Sequence, residues 1–297
     1  MHFPAAGIEV APWIPVAVAF GISLVTSMGG VSGAFLLLPF QMSVLGYTAP
    51  SVSATNQLFN VVATPGGVYQ YVREGRMVWP LAWTVLAGTL PGVFAGAIIR
   101  VALLPDAASF KAFAALVLLL IGARMVRNLL AERRGQHSAG ETGARSARVH
   151  VLQTCMRSIA YEYQGQKYSC SPRTVFALSL VVGILGGTYG IGGGAIMAPF
   201  LVAIIGLPVH TIAGVTLMAT FATSVAGVAF YQALAPFYPH LSVAPDWVLG
   251  LLFGIGGLAG TYCGARLQKF VPAQALKWML ATVVILTALK YLVDFVG

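Results

Sequence analysis

The sequence predicts an all-α polytopic membrane protein of two inverted-topology repeats, each with a Gly-broken or re-entrant helix pair plus three transmembrane helices. Three observations carry this. Of 297 residues 58% are hydrophobic, only 8% are charged and mean hydropathy is +0.84, which leaves too little polar surface to coat a soluble domain. The chain also writes one pattern twice, 160 residues apart. Gly29-Gly30-Val31-Ser32-Gly33 precedes Pro39-Phe40 and Gly46, and Tyr189-Gly190-Ile191-Gly192-Gly193-Gly194 precedes Pro199-Phe200 and Gly206. In the same register Gly67-Val68 falls on Gly227-Val228 and Tyr71 on Tyr231. Finally, the basic residues sort by side of the membrane in a way that requires the halves to be inverted.

Apolar stretches read as 12–28 and 31–45 around the first break, then 51–72, 78–100 and 108–130. The second half repeats this as 174–189 and 192–206 around its break, then 209–232, 246–268 and 273–296. The pieces beside each break are close to the shortest that cross hydrocarbon, about 17 residues. Each broken pair therefore returns the chain to its starting side, as two thin spans or a re-entrant hairpin, and each half has an odd number of crossings. The division is 1–130 for the first membrane repeat, 131–173 for a cytoplasmic basic loop and 174–297 for the second repeat.

Loop charge gives the orientation. Arg73 and Arg76 follow the third segment, whereas the corresponding loop, 233–245, has no Lys or Arg. Basic loops stay in the cytoplasm, so equivalent loops lie on opposite sides. Propagated along the chain, this puts both termini outside and collects 14 of the 17 basic residues inside. Only Arg100, Lys111 and Lys290 fall outside. Nine basic residues lie between Arg124 and Arg173, which accounts for the net charge of +9 without a nucleic-acid partner. Residues 1–13 lack Lys and Arg, so the first segment is expected to stay rather than be cleaved as a signal peptide. Within the loop, Arg133–Arg148 reads as a flexible linker. Tyr161, Tyr163 and Tyr168 around Gly165 read as a small β-hairpin.

Gly88, Gly92 and Gly96 recur as Gly256, Gly260 and Gly264, a four-residue spacing that lets helices in lipid approach closely. These glycines are expected to pack helices rather than touch a solute. The three cysteines, Cys155, Cys170 and Cys263, are expected to be inert thiols.

The spans hold no deep carboxylate, which argues against a proton relay through Asp or Glu. The five His show no metal-ligand spacing, and no nucleophile has a paired base. No enzyme, catalytic residue, metal or cofactor is expected. What the interior holds is neutral and polar. Asn56, Asn60 and Thr64 stand at i, i+4 and i+8 on one helical face, with Ser53 and Gln57 beside them. Thr216, Thr220 and Ser224 take the same places 160 residues on, with Thr223 adjacent. At the breaks, helices restarting near Ser32-Gly33 and Gly193-Gly194 aim free N–H groups and partial positive charge inward. Opposing carbonyl ends near Ser27 and Thr188 present the opposite charge and are an alternative Na⁺ site. The candidate substrate-binding residues are Ser27, Gly30, Ser32, Gly33, Asn56, Gln57, Asn60, Tyr189, Gly192, Gly193, Gly194, Thr216 and Thr220.

The duplicated Gly-rich break, the Pro-Phe, the polar helix and the Gly-spaced helix resemble the TauE/SafE family of membrane permeases over essentially all the membrane-embedded sequence. That resemblance implies export of sulfite, sulfoacetate or related organosulfur anions. The expected function is a secondary transporter in the bacterial inner membrane that moves such an oxyanion outward by alternating access. The rivals are a passive anion channel, an importer of the same solutes, and a membrane enzyme using one of the thiols. The expected partners are a small anionic solute and the lipid bilayer, with no nucleic acid; a homodimer is the assembly left open. Asn56-Gln57 in one half against Thr216-Leu217 in the other leaves open whether both halves meet the solute.

Overall fold

The computed structural model describes residues 1–28, 32–133, 149–155 and 158–267, and single helical positions between Trp278 and Val293. The predicted break residues Gly29, Gly30 and Val31, the linker 134–148 and most of the last predicted span lie outside the described residues. The helices are α1 (Trp13–Met28), α2 (Ala34–Ser43), α3 (Ser51–Ala63), α4 (Pro65–Arg73), α5 (Trp79–Ala102), α6 (Ala107–Arg133), α7 (Pro172–Tyr189), α8 (Met197–Phe200), α9 (Val209–Leu234) and α10 (Trp247–Leu267). Among the described residues, five are long and apolar enough to cross a membrane, in α5, α6, α7, α9 and α10. The pieces Trp13–Ser27 and Ala34–Ser43 are shorter. The chain is a predominantly helical membrane protein.

Two helix pairs form the frame: α1 lies along α10, and α5 along α7. Both contacts are backbone against backbone. A Cβ added at Gly88, Gly92 or Gly96 would collide with the carbonyl oxygens of Phe176, Leu180 and Ile184. One added at Gly256, Gly260 or Gly264 would collide with those of Val16, Phe20 and Leu24. The two sets of carbonyls stand 160 residues apart and the two sets of glycines 168, so the contact is made twice, with the glycine helix offset by about two turns from the register of the breaks. The post-break helices α3 and α9 pack on each other between these pairs.

Helices α3–α4 and α9 run antiparallel. Ser51, which opens α3, donates its N–H to Ser242 O at 2.8 Å, just beyond the end of α9. At the other end Gly75, beyond α4, and Thr211, in the first turn of α9, both bond to one small β unit.

Three expectations change. The predicted span 51–72 is two helices, because Pro65 lacks the N–H that would continue the ladder. Thr64 Oγ also donates to Asn60 O at 2.7 Å. The predicted hairpin in the basic loop is a three-stranded antiparallel meander of β3 (His150–Thr154), β4 (Ile159–Tyr163) and β5 (Gln166–Cys170). Its β4–β5 turn, Gln164-Gly165, has φ of 54° and 74°, the left-handed pair that suits a two-residue hairpin. The second restart comes later than Gly193-Gly194: α8 begins at Met197, is four residues long, and passes into a π turn at Leu201–Ile205. Three successive glycines are poor helix formers, so helix begins only beyond them. A feature not foreseen is an N-terminal hairpin, β1 (His2–Phe3) with β2 (Ile8–Glu9).

Arg100 is fully buried at the end of α5. Its guanidinium donates to Thr48 O at 3.0 Å and to Leu104 O, and lies 3.7 Å from the centroid of Phe110. A cation at a helix C-terminus is favourably placed against the free carbonyls, and the ring face adds to this. Cys155 is exposed and Cys170 buried. Burial pushes the Cys170 thiol up to about 11, so it stays protonated at neutral pH, and the Tyr161 hydroxyl on the neighbouring strand is raised for the same reason.

Candidate functional site

The second break is built from glycine for two reasons. Gly190 ends α7 in the left-handed region, φ 83°, and Gly192 follows at φ 77°, a conformation that costs other residues energy. The rest is space. A Cβ at Gly190 would lie under 3.0 Å from the backbone of Ser53, and one at Gly192 would lie 2.7 Å from Ser224 Oγ. At Gly193 it would meet Thr89, and at Gly194 the backbone of Thr216 and Thr220. The loop is therefore clasped between α3, α5 and α9.

Its carbonyls and amides meet different fates. Ser53, Asn56 and Asn60, all fully buried, project from successive turns of α3 onto the end of α7. Ser53 Oγ donates to Thr188 O at 3.1 Å, Asn56 Nδ2 to Gly190 O at 3.0 Å, and Asn60 Nδ2 to Ile191 O at 2.9 Å. These bonds cover the carbonyl end near Thr188, one of the two that the sequence left as an alternative cation site. The Gly190 and Ile191 amides turn back to Gly186 O, and Gly193 N donates to Thr223 Oγ at 3.1 Å. The amides of Gly192, Gly194 and Ala195 make no hydrogen bond to any other described residue.

The first break meets the same stripe. Ser32 Oγ accepts from Ala34 N at 3.3 Å, at the start of α2, and donates to Asn60 Oδ1 at 3.1 Å. Asn56 Nδ2 also donates to Ala34 O at 3.0 Å, and its Oδ1 accepts from Gln41 Nε2 at 3.3 Å. Tyr189, at the end of α7, donates its hydroxyl to Phe35 O at 3.2 Å. Asn56, Asn60 and Tyr189 thus tie both breaks together.

The other predicted residues divide. Gly33 sits against Ser23 and Thr26 of α1, 3.1 and 3.4 Å from where its Cβ would be. Ser27 lies elsewhere, on the α1 face against Gly264 of α10, its hydroxyl bonded to Leu24 O. Thr216 and Thr220 bond their hydroxyls to Ala213 O and Thr216 O of their own helix and supply the surface on which Gly194 rests. Gln57 is fully buried and packs on Gly227. Neither of its carboxamide atoms has a partner among the described residues. Gly30 is outside the described residues.

Ser23, Gln41 and Thr89 were not selected from the sequence, although each touches the breaks, whereas Thr188 was read only as the site of a free carbonyl end. Gln41 follows Pro39-Phe40 directly, and Thr89 sits inside the Gly88–Gly92 spacing, so a search for polar residues next to the duplicated motifs would have found both. Unpaired buried oxygens gather here too, on Ser23, Ser224 and Gln41 as well as Gln57.

Two surface grooves, of about 520 and 570 Å³, are lined by Trp13, Phe20 and Ile255 and by Trp79, Trp83 and Cys155. Neither is lined by described residues of the breaks, and in the second break residues 189–194 are buried. Asp246, the one acid among the described buried polar residues, caps the start of α10, accepting from Leu249 N at 3.0 Å. Among the described residues no group of His, Cys, Asp or Glu is arranged to hold a metal.

A bundle of apolar helices with broken backbone and neutral amides among its buried residues is a membrane protein in its architecture. The chain belongs to the sulfite exporter TauE/SafE family, whose model matches residues 15–291. It is similar to two proteins of Bacillus subtilis (strain 168), each described as a probable membrane transporter. The identity is 22% to YunE, over 88% of this chain and 90% of that protein. To YdhB it is 29%, over 40% of this chain and 45% of that protein. No solved structure matches the chain.

Proposed function

We propose that the protein is a secondary transporter that exports a small organosulfonate, sulfite or similar oxyanion from the bacterial cytoplasm by alternating access of two inverted repeats. One observation carries the choice of an anion: the carbonyls that end α7 are occupied by Ser53, Asn56 and Asn60, while the amides of Gly192, Gly194 and Ala195 make no hydrogen bond among the described residues. A guest at this break meets donors, and glycine lets an oxyanion reach them. Inversion is supported by the antiparallel run of α3–α4 and α9, and by the exchanged packing of α1 on α10 and α5 on α7. The hairpin end of the bundle is then the outside and the meander end the cytoplasm. Rocking of one repeat against the other moves access between them.

Export needs no acidic carrier. A potential of 100 mV, negative inside, favours outward movement of a monoanion by about 2.3 kcal/mol. A channel needs a continuous path, and the packed centre favours a carrier instead.

The test is flux of sulfite, sulfoacetate, taurine and sulfate in proteoliposomes at set potentials, for wild type and Asn56→Ala. Wild type is expected to move at least one of these anions saturably, outward under an inside-negative potential. Asn56→Ala, which leaves Gly190 O and Ala34 O without their donor, is expected to weaken apparent affinity about ten-fold, the equivalent of ~1.4 kcal/mol. Wild-type vesicles that move none of them would refute the function. A variant equal to wild type for every solute would refute the site. Accumulation under an inside-negative potential would reverse the vector.

A further inference from the structure

The two β units occupy corresponding places at opposite ends of the bundle. The N-terminal hairpin immediately precedes α1, and the meander immediately precedes α7, the pre-break helix of each half. The hairpin seats on the start of α3 and the approach to α10. Ser51 Oγ and Ser242 Oγ both donate to Ala5 O, and Ala6 N donates to Asp246 Oδ2 at 3.4 Å. Phe3 is buried beneath it. The meander seats on the start of α9 and the approach to α5. Tyr161 and Thr211 share a hydroxyl hydrogen bond of 2.8 Å, and Val149 N donates to Gly75 O at 3.0 Å. Ile159, Tyr161 and Tyr163, on alternate positions of β4, are buried beneath it. Ser51 and Thr211 are themselves 160 residues apart.

The seats differ in one essential from the helix contacts. The pairs α1·α10 and α5·α7 are joined backbone to backbone along their length, whereas each β unit bridges two helices through a few hydrogen bonds and a small apolar plug. In a rocking bundle, the tightly joined pairs move as bodies and the bridged helix starts separate. The hairpin bridges α3 to α10 at one end, and the meander bridges α9 to α5 at the other. With both seated, the centre is closed.

We propose that the hairpin and the meander are a matched pair of latches, one over each mouth of the pathway, and that each transport cycle releases them alternately. This rests on the transporter reading above for its cycle, but the release of one latch against the other is measurable without any solute.

The experiment staples the outer latch across to α3 with Ala5→Cys and Ser51→Cys, at positions where Ser51 Oγ and Ala5 O stand 3.2 Å apart, on a background of Cys155→Ser and Cys263→Ser that keeps Cys170 as the reporter under the meander. Cross-linking is followed by maleimide labelling of Cys170 and by anion flux, before and after reduction. With the staple closed, flux is expected to fall at least about ten-fold and Cys170 labelling to rise several-fold, since only inward opening remains populated. Reduction is expected to reverse both, which also shows that the variant folds. A closed staple that leaves Cys170 labelling unchanged would overturn the proposal, as would stapled protein that transports like the reduced form. If the reduced protein moves no anion, the transporter reading fails instead, and the labelling alone decides the latch.

Discussion

Helices α3 and α9 hold corresponding places beside the two breaks, yet their polar stripes behave differently. On α3, Asn56 and Asn60 reach across to the carbonyls of the other repeat. On α9, Thr216, Thr220 and Thr223 bond to carbonyls of their own helix. Side-chain reach explains this. A threonine hydroxyl stands one bond from Cβ and falls naturally on the i−3 or i−4 carbonyl, whereas a carboxamide stands farther out and carries two donors. The places correspond and the chemistry differs: α3 satisfies the break carbonyls with carboxamides, whereas α9 offers one hydroxyl, that of Thr223, to Gly193 N at 3.1 Å and otherwise provides the surface against which glycine packs.

That difference is open to attack at four places, the strongest first. Gly194→Ala places a methyl against the backbone of Thr216 and Thr220, with no flexible side chain to give way. It is expected to cost about 3 kcal/mol or to prevent folding, read as the thermal midpoint in detergent. Asn60→Thr, the residue that its repeat partner carries, is expected to bond to its own helix and to leave Ile191 O and Ser32 Oγ unsatisfied. The expected loss is about 1–2 kcal/mol, with reduced flux. If Asn60→Thr matches wild type in both, the contrast between the stripes is empty.

Gln57→Leu copies the residue found at 217 and removes two unpaired buried polar atoms. Stability is expected to hold or to rise by up to about 1 kcal/mol, while the apparent affinity for anion falls. Such a split would mark Gln57 as a group held for the solute, and equal loss of both would mark it as structural. Thr220→Val is the mildest, because its hydroxyl serves only its own helix, and a change below about 0.6 kcal/mol is expected. A larger loss in thermal melts would show that the Thr220 hydroxyl, like that of Thr223, serves the break as well as its own helix.

The sequence made the repeat legible because the physics of close helix approach in lipid accepts only small residues. Gly88, Gly92 and Gly96, and their counterparts, therefore announce their contacts from spacing alone. The breaks were equally visible as glycine runs, and Asn56 and Asn60 as amides too costly to bury without purpose. What the sequence concealed were facts of three-dimensional juxtaposition. Nothing in Asn56 or Asn60 says that their donors go to the opposite repeat, nor that the hydroxyl of Ser27 faces α10 while Ser23 and Thr26 face Gly33. The N-terminal hairpin was missed because two-residue strands are too short to show alternation. The meander was read as a hairpin because the turn at Gln164-Gly165 is strongly coded and β3, exposed along its length, is not.

The central claim is that the unbonded amides of the second break receive the anion. The direct measurement is the density of the protein solved with a bromine-labelled alkanesulfonate. The account predicts sulfonate oxygens within hydrogen-bond distance of the amides of Gly192, Gly194 and Ala195, with Asn56 and Asn60 still turned to their carbonyls. Sulfonate bound away from this loop, with those amides still facing protein, would contradict it.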